Sequence, residues 1–177
     1  RGRLAIACND MKYFPNDSIF ILKDVPVIWF EENQIFADSV AVFLKNKSLN
    51  ELLAVRNAFL LSRADSIAKS YNQIMGDTII LYFSGNELDS VISIDKATAF
   101  YYLIDSLGIN SGYKSAGDII KITVENKKVG SVKVLYGIES LYYPGKMLTG
   151  RQNEYNHPRF KIFEHKPKRE DYYKIKK

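Results

Sequence analysis

Three aspartates recur in one local setting, each directly after a small residue: Ala37-Asp38, Gly76-Asp77 and Gly117-Asp118. Repeated carboxylates are what a calcium site uses, but calcium takes six or more oxygens, and each of these aspartates lacks an acidic cluster. They are expected to be turn or bulge residues that accept backbone hydrogen bonds at strand starts. His157 and His165 lie among Lys and Arg near the C-terminus. A general base or metal ligand needs partners placed by the fold, so these two are expected at the surface. Cys8 is the one cysteine, which excludes an intrachain disulfide framework and a multi-cysteine zinc site. It follows Leu4-Ala5-Ile6-Ala7 and superficially matches a lipoprotein cleavage site, but the seven residues before it include two Arg and no sufficient apolar stretch. Cys8 is expected in a strand. A hydrolase would need carboxylates such as Glu31, Glu32 or Asp38 converging on a polar cleft. No phosphate-binding glycine loop, nucleophile elbow or His-Glu-x-x-His motif occurs. Neither an enzyme activity nor a metal or cofactor is expected.

The elements that carry these residues are set by a repeat. Asn33-Gln34-Ile35-Phe36-Ala37-Asp38 returns as Asn72-Gln73-Ile74-Met75-Gly76-Asp77, an offset of 39. The match runs on without a gap: Val40, Val42 and Leu44 map to Ile79, Leu81 and Phe83, then Leu52 to Val91, Val55 to Ile94 and Ala58 to Ala97. It also extends backward, from Phe20-Ile21-Leu22 to Phe59-Leu60-Leu61. A third copy starts at Gly117-Asp118 with offset 41, and Ile120, Ile122 and Val124 take the strand positions. A fixed period of this length marks a repeat architecture.

Each copy has one grammar. A small residue and Asp open an alternating run, a polar turn follows (Lys45-Asn46-Lys47-Ser48, Ser84-Gly85-Asn86-Glu87 or Glu125-Asn126-Lys127-Lys128), and a second apolar run begins. Alternating runs joined by short Asn/Gly turns read as antiparallel hairpins. Alternation assigns faces: Lys121 and Thr123 point out, so Ile120, Ile122 and Val124 point in, together with Val40, Val42, Leu44, Ile79, Leu81 and Phe83. Ala41, Phe43, Ile80 and Tyr82 then make an unusually apolar outer face. Residues 50–74 alone read as a helix, with Leu52, Val55 and Phe59 at helical spacing. The equivalent stretch 89–107 contains Val91-Ile92-Ser93-Ile94 and Phe100-Tyr101-Tyr102, which favour strands. Equivalent units share a structure, so strands are expected in both. Pro15-Asn16-Asp17 and Pro144-Gly145 punctuate further runs, and Pro26 within residues 25–30 predicts an edge strand or a bulge.

The chain of 177 residues is 46% hydrophobic and 25% charged, ordinary globular composition with enough apolar content for one core. No run approaches 18 apolar residues, so no transmembrane helix is expected. With no initiator Met and no full signal peptide, the chain is expected to be a processed or trimmed piece. Residues 157–177 hold eight Lys/Arg and three acids, whereas residues 1–156 balance at seventeen of each. A basic end can meet nucleic acid, anionic lipid or an acidic partner, although a solvated terminal segment is the simpler expectation. Tyr101-Tyr102, Tyr142-Tyr143 and Tyr172-Tyr173 offer aromatic pairs, but the body lacks the interleaved Lys/Arg that base stacking uses, so nucleic acid is not an expected partner. The aligned aliphatic stripes close on each other as a core or leave a groove for an apolar ligand. Sequence alone does not separate these, and the closed core is the default.

Asp24-Val25-Pro26-Val27-Ile28-Trp29, then Asn33-Gln34-Ile35-Phe36-Ala37-Asp38-Ser39-Val40, then Val55-Arg56-Asn57-Ala58-Phe59 resemble the OstA-like proteins. That family includes the periplasmic lipopolysaccharide-transport protein LptA and the N-terminal domain of LptD. Tyr71-Asn72-Gln73-Ile74-Met75-Gly76-Asp77 resembles the OstA-like proteins of Bacteroidetes. The resemblance covers roughly residues 4–144.

The resemblance implies an all-β fold, an antiparallel V-shaped β-jellyroll of repeats of about 40 residues over 1–145, with 146–177 a basic C-terminal segment. It implies a periplasmic module that cradles the acyl chains of lipopolysaccharide and links head to tail, by edge-strand addition, with other Lpt-type proteins or with itself. The inward stripe would then be lipid-binding: Val40, Val42, Leu44, Ile79, Leu81, Phe83, Ile120, Ile122 and Val124. The alternative is a structural or interaction β-repeat whose core is closed and which binds a protein partner.

Overall fold

A computed structural model describes residues 4–65, 70–85 and 87–167. It contains β1 (Ala5–Ala7), β2 (Asp10–Phe14), β3 (Ile19–Lys23), β4 (Val27–Phe30), β5 (Asn33–Phe36) and β6 (Ser39–Lys45). The long strands β7 (Ser48–Asp65), β8 (Ser70–Ser84), β9 (Glu87–Asp105) and β10 (Gly108–Glu125) follow, then β11 (Lys128–Leu135) and β12 (Glu139–Pro144). A single helical turn α1 (Gly145–Leu148) and a 3-10 turn (Gln152–Tyr155) close the described chain. The strands form one antiparallel sheet of 12 that does not close on itself. The stretch 50–74, ambiguous by periodicity alone, is strand wherever it is described.

The sheet is folded along a line that crosses the long strands near their middles. Register breaks fall between Val55 and Ala58, between Met75 and Thr78, and between Gly117 and Ile119. On this line the backbone turns through paired left-handed residues: Arg56 (φ 58°) with Asn57 (φ 56°), Asp95 (59°) with Lys96 (53°), and Tyr136 (60°) with Gly137 (58°). The spacings between these pairs are the repeat offsets, 39 and then 41. Opposite each pair sits a small residue followed by Asp. Asp38 N–H donates to Arg56 O at 3.0 Å, and Asp118 N–H donates to Tyr136 O at 3.0 Å. The bulge aspartate is expected to accept from backbone N–H groups; instead the Asp38 carboxylate accepts from the Asn57 side chain, Nδ2 to Oδ1, at 3.1 Å. The preceding small residue is there because neighbouring strands press close. A Cβ at Gly76 would lie 2.3 Å from Ser93 Oγ, and one at Gly117 would lie 2.9 Å from Tyr136 O.

The fold line divides the sheet into two leaves. Leaf A holds β2, β3, β6 and β11 with residues 48–55, 78–84, 87–94 and 119–125 of the long strands. Leaf B holds β1, β4, β5 and β12 with residues 58–65, 70–76, 97–105 and 108–117. Type I′ hairpins join neighbours at the leaf A tips, with Asn46-Lys47 and Asn126-Lys127 all at positive φ. The main core lies between the leaves, where Leu22, Val40, Leu52, Ile79, Leu81 and Ile120 of leaf A meet Ile28, Ile35, Leu60 and Ile74 of leaf B. Phe30 and Phe83 meet edge to face across the two leaves at 5.4 Å.

Three expectations need correction. Pro26 lies ahead of β4 rather than inside a strand, next to Val25 (φ 55°), where the chain crosses the fold line. Cys8 lies in the break after β1, again at a crossing, and packs half-buried against the core. The end of the chain is not simply solvated: residues 145–167 run as a strap over the outer face of leaf B. There Phe160 and Phe163 pack on Val27, Trp29, Phe36, Phe59 and Leu61, while Leu148 and Tyr155 pack on Phe100 and Tyr102. The basic residues Lys168, Arg169, Lys174, Lys176 and Lys177, with Tyr172-Tyr173, lie outside the described residues.

Candidate functional site: the space between the leaves

The nine inward residues all fall on the inner face of leaf A. Val40, Val42, Ile79, Leu81, Phe83, Ile120 and Ile122 are buried in the main core. Leu44 is half-buried against it, because the β6–β7 ladder shifts register between Phe43 and Leu44. Val124 also follows a shift, between Thr123 and Val124, and lines the rim instead of the core. Ala41, Phe43, Ile80 and Tyr82 are half-buried and have no place in the core, as alternation requires. The expected inward and outward residues therefore separate by face.

Sequence reasoning missed the opposing wall. Ile28, Phe30, Ile35, Leu60, Ile74, Ala97 and Ala99 of leaf B face the nine residues and complete the apolar interior. The backward extension of the repeat carried no signal for it, because it aligns Leu60 with the outward-facing Ile21 and Leu22 with Leu61, which packs under the strap. Adjacent tyrosines also split between faces. Tyr101 stacks on Tyr113 at 5.4 Å, Tyr113 meets Tyr142 at 5.3 Å, and Tyr101 packs against the main core. Tyr102 and Tyr143 lie on the opposite face near the strap, where burial pushes the Tyr102 hydroxyl up to about 12.

Opposite the fold line the leaf tips approach at a polar mouth, a cleft of about 790 Å³ lined by residues such as Asn33, Arg63, Asn72, Leu88, Asp105 and Val129. Across it, Lys127 Nζ on the β10–β11 turn lies 2.8 Å from Glu31 Oε1 on the β4–β5 turn and 4.0 Å from Glu87. The Glu31 carboxylate holds the Lys127 ammonium above its ordinary range. Asp105 is held low by the N–H of Leu107 and by Asn110. The carboxylates do not converge. Glu31 pairs with Lys127, Glu32 with Arg63 at 3.4 Å, and Asp38 with Arg56 at 3.5 Å. Among the described residues no three His, Cys, Asp or Glu come together as a metal site would require. No helix among them is long and apolar enough to cross a membrane.

The sheet has unpaired edges at both ends. At one end β1 pairs only with β4 and β2 only with β3; at the other β11 and β12 each pair only with β10. Apolar side chains are exposed at both ends: Met11 (56%) and Tyr13 (45%) at the first, Tyr136 (67%) and Leu141 (57%) at the second.

No family model matches the chain, and no curated protein matches it. Among solved structures, the chain is similar to LptH, described as the LptA homologous periplasmic component of the lipopolysaccharide transport device from Pseudomonas aeruginosa. The TM-score is 0.63 at 14% identity, over 80% of this chain and 96% of that one. At this identity the likeness is one of fold: a curled, unclosed antiparallel β-jellyroll of the LptA type.

Proposed function

We propose that this chain is a periplasmic lipopolysaccharide-binding transport module. The acyl chains lie between the leaves against Val40, Val42, Leu44, Ile79, Leu81, Phe83, Ile120, Ile122 and Val124, and the sugars remain in solvent beyond the mouth. The observation that carries this is the convergence of both inner faces on one apolar interior whose far side is a polar cleft. Each buried methylene is worth about 0.8 kcal/mol, so a multi-acyl lipid needs such a continuous apolar surface to cross water. The likeness in fold to a lipopolysaccharide-transport component supports the same reading. So do the open edges at both ends, which suit strand addition, head to tail, with other Lpt-type proteins or a second copy between the inner and outer membranes.

With the leaves closed, Ile79, Leu81 and Ile120 are 0% exposed, so lipid uptake requires the leaves to part at the mouth. The Lys127–Glu31 tie across it is an exposed ion pair, of a kind that holds weakly. The same full burial, with the Phe30–Phe83 contact, favours the second reading: a structural or interaction β-repeat with a closed core. Photo-crosslinking in cells separates the two, with the probe at Leu81 inside and at Lys121 outside. Lipopolysaccharide adducts at Leu81 alone are expected. No adduct at either position, in protein shown to be folded and periplasmic, would sink the lipid reading in favour of the closed core.

A further inference from the structure

A half-open cavity of about 270 Å³ lies between the strap and the outer face of leaf B. Its apolar wall is aromatic. Phe100 lies 5.8 Å from Tyr155 and 6.0 Å from Tyr143, and Tyr143 meets Tyr155 at 5.0 Å. β8 and β9 supply the floor, and residues 154–158 of the strap supply the roof.

The polar groups lining the cavity divide by whether they are already engaged. Gln73 is used at both ends: its Nε2 donates to Asn156 Oδ1 at 2.9 Å, and its Oε1 accepts from His157 N–H at 2.8 Å. The Glu154 carboxylate is clamped by Arg151 through bonds of 2.6–3.1 Å. Besides the Tyr143 hydroxyl, three groups remain. The Thr98 hydroxyl is buried and has no partner. Lys114 is exposed and lies in no ion pair among the described residues. His157 Nδ1 accepts the Arg159 N–H at 3.0 Å, which puts the ring proton on Nε2. All three can donate, and the carboxylate and amide acceptors beside them are taken.

We infer that this cavity binds a small anion carried on a ring-sized apolar body, an aromatic carboxylate or an aryl phosphate monoester. The ring lies against Phe100 and Tyr155, and the anion takes Lys114 and, after a local shift that uncovers it, the buried Thr98 hydroxyl. A ligand there touches sheet and strap together, so it also fastens the strap. None of this depends on the lipid reading of the interior.

Calorimetric titration of the full chain with phenyl phosphate, benzoate and the neutral benzyl alcohol tests it. Saturable binding of at least one anion is expected, with benzyl alcohol weaker by about tenfold or more. Binding of phenyl phosphate alone assigns a phosphate ester; binding of benzoate alone assigns a carboxylate. Lys114→Gln, at an exposed position, should weaken the anion about tenfold. Thr98→Val should weaken it too, yet leave the melting temperature of the unliganded protein unchanged or higher, because the hydroxyl it removes has no partner to lose. The proposal is overturned if neither anion binds saturably below about 10 mM, if benzyl alcohol binds as well as the anions, or if both variants bind like the parent.

Discussion

Leu81→Ala probes the interior where the two readings of it meet. Leu81 is 0% exposed and stands in register between Leu52 and Val91, themselves buried. Its neighbours sit on ladder-bonded strands, so the wall cannot collapse to fill the gap. Losing roughly three methyl or methylene groups removes about 2.4 kcal/mol of transfer free energy. The residual cavity brings the total to about 3–5 kcal/mol. At about 2–4 °C per kcal/mol for a chain of this size, a 3 kcal/mol loss lowers the melting temperature by about 6–12 °C. Urea titration followed by the fluorescence of Trp29, buried under the strap, measures the loss directly. A loss below about 1 kcal/mol would refute the claim that the leaves close on each other at this point. A second arm adds lipopolysaccharide. Acyl chains that occupy the interior also fill the hole, so the lipid should raise the midpoint of Leu81→Ala by more than that of the parent protein. Equal shifts would refute the placement of acyl chains at Leu81.

Gln73→Leu removes the amide that joins β8 to the strap and leaves the His157 N–H unpaired, at a cost of about 1–3 kcal/mol to strap docking; faster tryptic cleavage after Arg159 and Lys161 checks it. His157 is depressed below its ordinary range by burial first, then by Arg159 and Lys114. The unfolded chain therefore binds this proton more readily than the folded one, so its contribution is complete above the unfolded value of about 6.5 and is lost as pH falls through the folded value. Strap protection from proteolysis should fall between pH 7.5 and pH 5, and His157→Gln should flatten that dependence. Gly76→Ala forces a Cβ against Ser93 Oγ and Ile94 O and should cost about 1–3 kcal/mol in a denaturant titration, with Ser93→Ala recovering only part, since the backbone oxygen stays.

The repeat was legible because its alternation survives substitution: Val42, Leu81 and Ile122 differ in side chain but share a face and a depth. The fold line was not legible, because what defines it is backbone conformation. Arg56-Asn57, Asp95-Lys96 and Tyr136-Gly137 occupy one left-handed geometry at the repeat offsets and share almost no composition. Asn57, Asp95 and Gly137 are of types that favour it, whereas Arg56, Lys96 and Tyr136 are not. The small-Asp pairs were visible, but their reason was the press of neighbouring strands, which a linear reading does not contain. The strap was hidden by its charge. Between residues 157 and 167, Phe160 and Phe163 sit among Lys, Arg, His and Glu, and without a sheet face to receive them they read as a solvated end. Trp29 Nε1 donates to Phe163 O at 3.1 Å and Gln34 Oε1 accepts the Phe163 N–H at 2.9 Å, pairings across 134 and 129 residues that no local pattern announces.

The two leaves differ in what supports them, and this decides how the interior can open. Leaf B is packed on both faces, by the core on one side and by the strap on the other. Leaf A is packed on its inner face, while its outer face carries Ile21, Ala41, Leu53, Ile80 and Ile92, paired side by side in register and only half-buried. Burial stabilises in proportion to the apolar area removed from water. When the inner faces separate, leaf B keeps its strap contacts and leaf A keeps only its ladders. The fold line is not a loose joint either. Non-glycine residues in left-handed backbone cost of order 1–3 kcal/mol each and persist because ladders on both sides over-determine them. The β-branched Val25, followed by Pro26, is the strongest case. Under the lipid reading, with leaf B stiffened and the fold line held, opening would consist of leaf A bending away at its tips. The first contacts to break are the Lys127–Glu31 pair and the Phe30–Phe83 edge, the ones that span the two leaves near the mouth.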